Sequence, residues 1–292
     1  YVIILKSFIW GVYVVRKIAV FNDLSGLGKC SLTAAIPIIS ALGIHACPIP
    51  TAVLSNQTGY ESYFIKDCTD CIDNFTREWQ KLNISFDGIL TGFLVNSGQV
   101  EKILRFLKAF RNENTILVVD PVMADNGETY DIFTDELRDR ICELIPMADV
   151  ITPNLTECCI LSGSDYGSLN RTADDGDMFA AVFEICRNLI EKGVKNVIVT
   201  GVRRGESICN CICSKKKRAL SKTRMFEGSF SGTGDIFACV VCGYLVKGLD
   251  IQSAVDKAAD FISASIEDTI KDKISPNDGI NFEKHLRMLV ND

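Results

Sequence analysis

The segment Phe230-Ser231-Gly232-Thr233-Gly234-Asp235-Ile236-Phe237 sets two glycines around a threonine, with an acid directly behind them at the start of an apolar run. If that run is a helix, its first backbone N–H groups have no intrahelical partners and sit at the positive end of the helix dipole. Glycines there let an anion such as a phosphate approach the backbone closely. An aspartate beside such an anion hole would repel phosphate if it only bound ligand, but it makes chemical sense as the acceptor of a proton from an attacking hydroxyl. The blander reading is an aspartate that merely complements the dipole. Polar residues also stand directly after other apolar runs: Asn22-Asp23, Thr91-Gly92, Asp120, Thr152-Pro153-Asn154 and Thr200-Gly201. Helix capping explains Asn154 or Asp23 singly, but not the whole set.

Other chemistries are poorly supplied. Gly26-Leu27-Gly28-Lys29-Cys30-Ser31 lacks the earlier glycine of a P-loop and the third glycine of a dinucleotide fingerprint. With 2 histidines in 292 residues, no Ser/His/Asp set competes, and acid–base work falls to carboxylates. Thirty-one basic against 37 acidic residues give a net charge of −6, so no global cationic field exists to hold a nucleic acid. Thirteen cysteines, an odd number in a long chain, fit a reducing cytoplasm rather than a disulfide-stapled module. Cys68/Cys71, Cys239/Cys242 and Cys209, Cys211, Cys213 could suggest zinc, but small buried apolar roles are favoured.

The elements that must position these residues follow from apolar periodicity. Expected strands are 17–21, 45–54, 87–91, 115–119, 149–152 and 196–200. Expected helices are 31–42, one carrying Ile72, Phe75, Trp79 and Leu82 on one face, 98–110, 135–144, one from Pro153-Asn154 toward Leu161, 179–192, 233–246 and 251–267. Residues 207–227 alternate and read as a β-hairpin or flap. Strands separated by helices imply parallel βαβ units. The expected fold is α/β, a three-layer α/β/α sandwich with a mostly parallel, doubly wound sheet. Ligands in such sheets gather beyond the carboxyl ends of the strands, where the polar set stands.

Gly232-Thr233-Gly234-Asp235, Asp120-Pro121-Val122-Met123, Thr152-Pro153-Asn154-x-x-Glu157 and Leu54-Ser55-Asn56-Gln57-Thr58-Gly59-Tyr60 together resemble the pyridoxal (pyridoxamine) kinases of the ribokinase-like superfamily, over about Lys17 to Thr269. The resemblance implies ATP-dependent phosphorylation of the 5′-hydroxyl of a B6 vitamer, in pyridoxal phosphate salvage, by a homodimer. By carry-over, Asp235 is the catalytic base and Gly232, Thr233 and Gly234 form the anion hole. Asn22 or Asp23, Thr58 and Phe93 lie at the substrate, while Thr152, Asn154 and Thr200 serve ATP. Asp120, Asp125 and Glu157 organise Mg²⁺ and its waters, with a monovalent-cation requirement left open. The sister branch, hydroxymethylpyrimidine (phosphate) kinase, usually carries an Ala-Gln-Asn-Thr type segment where this chain has Ser-Asn-Gln-Thr, and it remains the alternative, beside a non-catalytic B6-binding relative.

Three positions depart from the family pattern: Gln57 stands for a common histidine, Phe93 for a frequent tyrosine and Ala124 for a usual glycine. The run Lys215 to Arg218 is either a flap that closes over ATP phosphates or a solvated hairpin tip, the second being favoured. Residues 1–16 are an apolar extension of unassigned role, too short to span a bilayer, and no membrane partner is expected. The kinase domain is placed at 17–292.

Overall fold

The computed structural model describes residues 15–170 and 175–290. The apolar extension therefore lies outside the described residues up to position 14. In chain order the main elements are β1 (Lys17–Ser25), α1 (Ser31–Ala41), β2 (His45–Leu54), β3 (Ile65–Asp67), α2 (Thr69–Lys81), β4 (Gly88–Thr91), α3 (Ser97–Phe110) and β5 (Ile116–Val119). Then come β6 (Ala124–Asp125), β7 (Glu128–Thr129), α4 (Asp135–Leu144), β8 (Val150–Ile151), α5 (Leu155–Ser162), α6 (Tyr166–Asn170) and α7 (Asp175–Glu191). The chain continues with β9 (Asn196–Arg204), β10 (Ser207–Ser214), β11 (Arg218–Arg224), α8 (Thr233–Lys247) and α9 (Ile251–Lys271).

One nine-stranded sheet runs in the order β11-β10-β9-β8-β5-β4-β1-β2-β3. The six strands from β9 to β2 are mutually parallel, and β3, β10 and β11 add antiparallel edges. Successive strand residues feed opposite cores, as the two-residue side-chain period requires. Ile18 and Val20 pack under α1, α8 and α9, whereas Ala19 and Phe21 pack under the helices of the other face. On that second face α3 presents Ile103, Phe106, Leu107 and Phe110 at helical spacing, and Phe106 meets Phe21 edge-on at 4.9 Å. The expected α/β/α layering is present.

Several boundaries differ from expectation. Strand β1 does not stop at Phe21 but continues to Ser25 through a shift in register opposite Asp23, so Asn22 and Asp23 belong to the sheet rather than to a turn. Strand β9 likewise runs on to Arg204 across a bulge. The expected flap is the β10–β11 hairpin, paired through β10 into the main sheet. The small β6–β7 hairpin turns at Asn126 and Gly127, both with positive φ, which is the backbone an Asn-Gly turn favours. β1 leads to β2 on one side and, through β4, to the remaining strands on the other. The sheet's switch point thus lies between β1 and β4.

Candidate active site

The carboxyl ends of β1, β4, β5, β8 and β9 bring Asn22-Asp23, Phe93, Asp120, Thr152-Asn154 and Thr200 to one edge, facing the start of α8. Helix α8 begins on Gly232, a glycine N-cap at φ +79 with no side-chain cap, so its first-turn amides have no capping partner. That conformation is obligatory: a Cβ on Gly232 would lie 2.2 Å from the Lys29 carbonyl oxygen. Thr233 turns its hydroxyl to the Phe230 carbonyl at 3.1 Å.

Asp235, half-buried in the first turn of α8, is held from two other elements. Asn22 Nδ2 donates to its Oδ1 at 2.8 Å, and the backbone N–H of Ser31, at the start of α1, also donates to it. The Asn22 side chain is itself fixed, because its Oδ1 accepts from the N–H groups of Asp23 (3.0 Å) and Phe93 (2.9 Å). Gly92 must be glycine, since a Cβ there would lie 2.5 Å from Asn22 Nδ2. Burial, then the nearby charge of Asp23, pushes the Asp235 carboxyl up to about 6, against the lowering effect of its two donors. Asp23, buried, accepts from Ser25 Oγ at 2.7 Å and sits above the usual carboxylate range because of burial. Ser31 carries out this task at φ +48, a left-handed conformation rare outside glycine.

Asp120 is buried at the end of β5, and Thr152 Oγ1 donates to its Oδ1 at 3.0 Å. Burial and then the charge of Asp235 raise it. Glu157 is buried too, and its two oxygens accept from the Met123 and Asn154 N–H groups, each at 2.9 Å. Burial and the charge of Asp120 hold Glu157 well above the usual range. Asn154 closes a capping box with Glu157 while its Nδ2 donates to the Ala124 carbonyl at 2.7 Å. Asp125 turns both oxygens to Asn126 in the β6–β7 turn. Glu157 thus lies within electrostatic reach of Asp120, while Asp125 faces the β6–β7 turn. Among the described residues no three His, Cys, Asp or Glu side chains are grouped as a preformed metal site.

Thr200 borders a cavity of about 160 Å³ that runs from Thr233 and Gly234 along β9, β10 and α9. Whole small-molecule sites are typically about 300–1,000 Å³, so this cavity suits one end of a longer ligand whose other end meets the α8 amides. Arg203 and Arg224 line it. Lys215 to Arg218 do not: they sit exposed at the turn of the hairpin, which begins at Ser214, four residues up the strand from the cavity-lining Asn210, or roughly 13 Å at the ~3.3 Å rise of a strand. The basic run is therefore exposed at the hairpin tip, outside the cavity lining.

Thr58 stands exposed on the 55–60 loop, whereas its neighbour Gln57 is buried and acts as a tether. Gln57 Nε2 donates to Ser231 Oγ (3.3 Å) and the Asn277 carbonyl (3.1 Å), and its Oε1 accepts from the Gly59 N–H at 2.6 Å. The segment after α9 also receives Lys29 N–H at the Asp278 carbonyl and Ser231 N–H at the Pro276 carbonyl, both at 3.1 Å, and Tyr60 donates to Asp278. Sequence reasoning missed this segment and Ser31. Gln57 stood out only as a departure from a motif.

A family model described as phosphomethylpyrimidine kinase matches residues 29–280. A protein of Bacteroides thetaiotaomicron, provisionally assigned as a phosphomethylpyrimidine kinase and crystallised with pyridoxal, is 37% identical with a TM-score of 0.87, covering 94% of this chain and 96% of its own. The pyridoxal kinase of Lactobacillus plantarum is 25% identical, TM-score 0.84, over 94% of this chain and 97% of its own. A hydroxymethylpyrimidine/phosphomethylpyrimidine kinase of Staphylococcus aureus is 25% identical over 83% of this chain and 84% of its length. With its doubly wound sheet and glycine-capped acidic helix start, the chain belongs to the phosphomethylpyrimidine kinase family.

Proposed function

We propose that this kinase transfers the γ-phosphoryl group of ATP to the 5′-hydroxyl of a B6 vitamer. The observation that carries the reading is Asp235, aimed by Asn22 and Ser31 beside the open amides of α8. A primary alcohol is a very weak acid, so Asp235 takes its proton late, as the oxygen–phosphorus bond forms. The α8 amides meanwhile receive the charge on the migrating group. Asn22 positions the base, and its own amide oxygen is spent on backbone donors. Contact with the vitamer then falls to Thr58, Phe93 and the rim of Asp23, and contact with ATP to Thr152, Asn154 and Thr200.

Asp120, Glu157 and Asp235 crowd together: after burial, the largest influence on each is the charge of a neighbouring carboxylate. An acidic cluster without a closed ligand set fits Mg²⁺, which is usually bound by one or two carboxylates plus phosphates and water. Asp120 would hold it, with Asp125 acting through solvent and Glu157 fixing the 123–125 backbone. When bound, the ion neutralises charge between the phosphates. Free thiols at all 13 cysteines support a cytoplasmic setting. The reading takes residues 17–292 as one domain of a homodimer.

A second reading, phosphorylation of a hydroxymethylpyrimidine, is favoured by the family model and the Staphylococcus relative. Both substrates present a hydroxymethyl group on a nitrogen heteroaromatic ring, so the base and anion hole serve either one. Steady-state turnover with pyridoxal, pyridoxamine, pyridoxine, hydroxymethylpyrimidine and its phosphate decides between them. The highest kcat/KM on a B6 vitamer is expected, falling about 10²–10⁴-fold in Asp235→Asn. Preference for the pyrimidine would replace the first reading with the second. Absence of ATP consumption with every alcohol would leave a binding protein.

A further inference from the structure

In the cavity that adjoins the α8 amides, one polar side chain of β10 has a donor to spare. Strand β9 carries one extra residue at Thr200–Gly201 against Asn210, because Cys209 pairs with Val202 and Cys211 with Val199. Gly201 takes up the bulge at φ +70. Its N–H, turned out of the ladder, donates to Asn210 Oδ1 at 3.2 Å. A backbone donor must face the amide's oxygen, so the NH₂ end of Asn210 points the other way. Asn210 is only 5% exposed, borders the cavity, and its Nδ2 is not among the buried polar atoms sealed away without a partner. It is a nine-tenths-buried donor bordering a cavity whose apolar walls are Ile208, Phe226, Phe237, Ile262 and Ile266 and which Arg203, Arg224 and Thr223 also line.

We infer that Asn210 reads the nucleobase of the phosphoryl donor, giving a hydrogen bond from Nδ2 to an unprotonated purine ring nitrogen. The inference rests on the proposed kinase reading, in which this cavity takes the base end of ATP. Apolar walls alone accept any aromatic ring. A buried donor left unpaired is costly, so the bond discriminates among rings that all fit. Adenine offers three acceptor nitrogens, N1, N3 and N7, and the site requires one of them.

Calorimetric binding of ATP and its 1-deaza, 3-deaza and 7-deaza analogues to the wild-type chain tests this without any alcohol substrate. One analogue should bind roughly tenfold more weakly than ATP, and the other two should bind like ATP. Asn210→Asp keeps an acceptor for the Gly201 N–H but removes the donor. At pH 8 it should bind ATP roughly tenfold more weakly and no longer distinguish the sensitive analogue. Its thermal melt and pyridoxal binding check that it is folded. Wild-type protein that binds all three analogues as tightly as ATP overturns the inference, and that result needs no variant. So does an Asn210→Asp protein that keeps the same analogue preference. A wild-type chain that binds pyridoxal but no ATP overturns the kinase reading itself and the inference with it.

Discussion

Substituting Gly232 by alanine tests whether the left-handed entry to α8 builds the anion hole. The added Cβ would sit 2.2 Å from the Lys29 carbonyl oxygen and 3.0 Å from both Cα and Cβ of Cys30. These are backbone atoms or atoms next to it, so no flexible side-chain end can swing aside. Holding a non-glycine residue in the left-handed region costs about 1–2 kcal/mol, and displacing packed neighbours costs about 1–3 kcal/mol more. At roughly 2–4 °C per kcal/mol, melting should fall on the order of 10 °C. Lys29–Cys30 leads directly into Ser31, whose N–H aims Asp235, so turnover measured well below the melting point should fall more than the loss of folded protein explains. Gly234→Ala is the control for stability, since its Cβ would meet nothing nearer than Asp120 Oδ2 at 4.0 Å. Differential scanning calorimetry beside single-temperature turnover separates the effects. A Gly232→Ala protein that melts within about 2 °C of wild type would refute the reasoning.

Activity and stability should move in opposite directions with pH. With Asp235 pushed up to about 6, kcat/KM should fall as pH drops through that value, because the proton acceptor fills. Asp235, Asp120, Asp23 and Glu157 are all raised, so the folded state binds protons more readily than the unfolded chain. Their part of the stability should grow as pH falls from neutral toward the unfolded carboxylate range near about 4, and denaturant midpoints at each pH check it. Replacing Asn22 by alanine removes a donor that lowers Asp235, so the acidic limb of the rate profile should shift to higher pH. Gln57→Ala should cost about 1–3 kcal/mol through orphaned partners and raise KM for the vitamer more than for ATP, as urea titration and steady-state kinetics would show. Replacing Lys215, Lys216 and Lys217 by glutamine should leave KM for ATP unchanged, whereas Arg203→Gln or Arg224→Gln should raise it.

The layers of the fold could be read from the chain because a parallel strand buried on both faces is a nearly continuous apolar run, as at 116–119, and because α3 repeats its apolar residues at one spacing. Strand ends were harder to place. The register shift opposite Asp23 and the bulge at Thr200–Gly201 carry polar residues inside the sheet, and polarity there reads as loop. Asp235 and Gly232 were legible because a glycine pair before an acid at a helix start is a local pattern. The task of Asn22 was not, since it depends on Phe93 and Asp235, 71 and 213 residues away. Ser31 gave no signal either, because nothing in a serine announces a left-handed backbone.

The residues after α9 fasten the loops that carry Lys29, Gln57 and Ser231 to one another. A chain emerging from the ribosome can lay down its strands in sequence as each is made, since every parallel pairing lies upstream of α8. The loops over the sheet edge have no such early anchor, for Pro276 to Asp278 follow every strand and α9. A nascent polypeptide with a finished sheet would still lack a fixed rim until Pro276 to Asp278 had joined it, and a stop near residue 272 would remove both those ties and the buried Ile280, Phe282 and Leu289 from beneath α1 and α9.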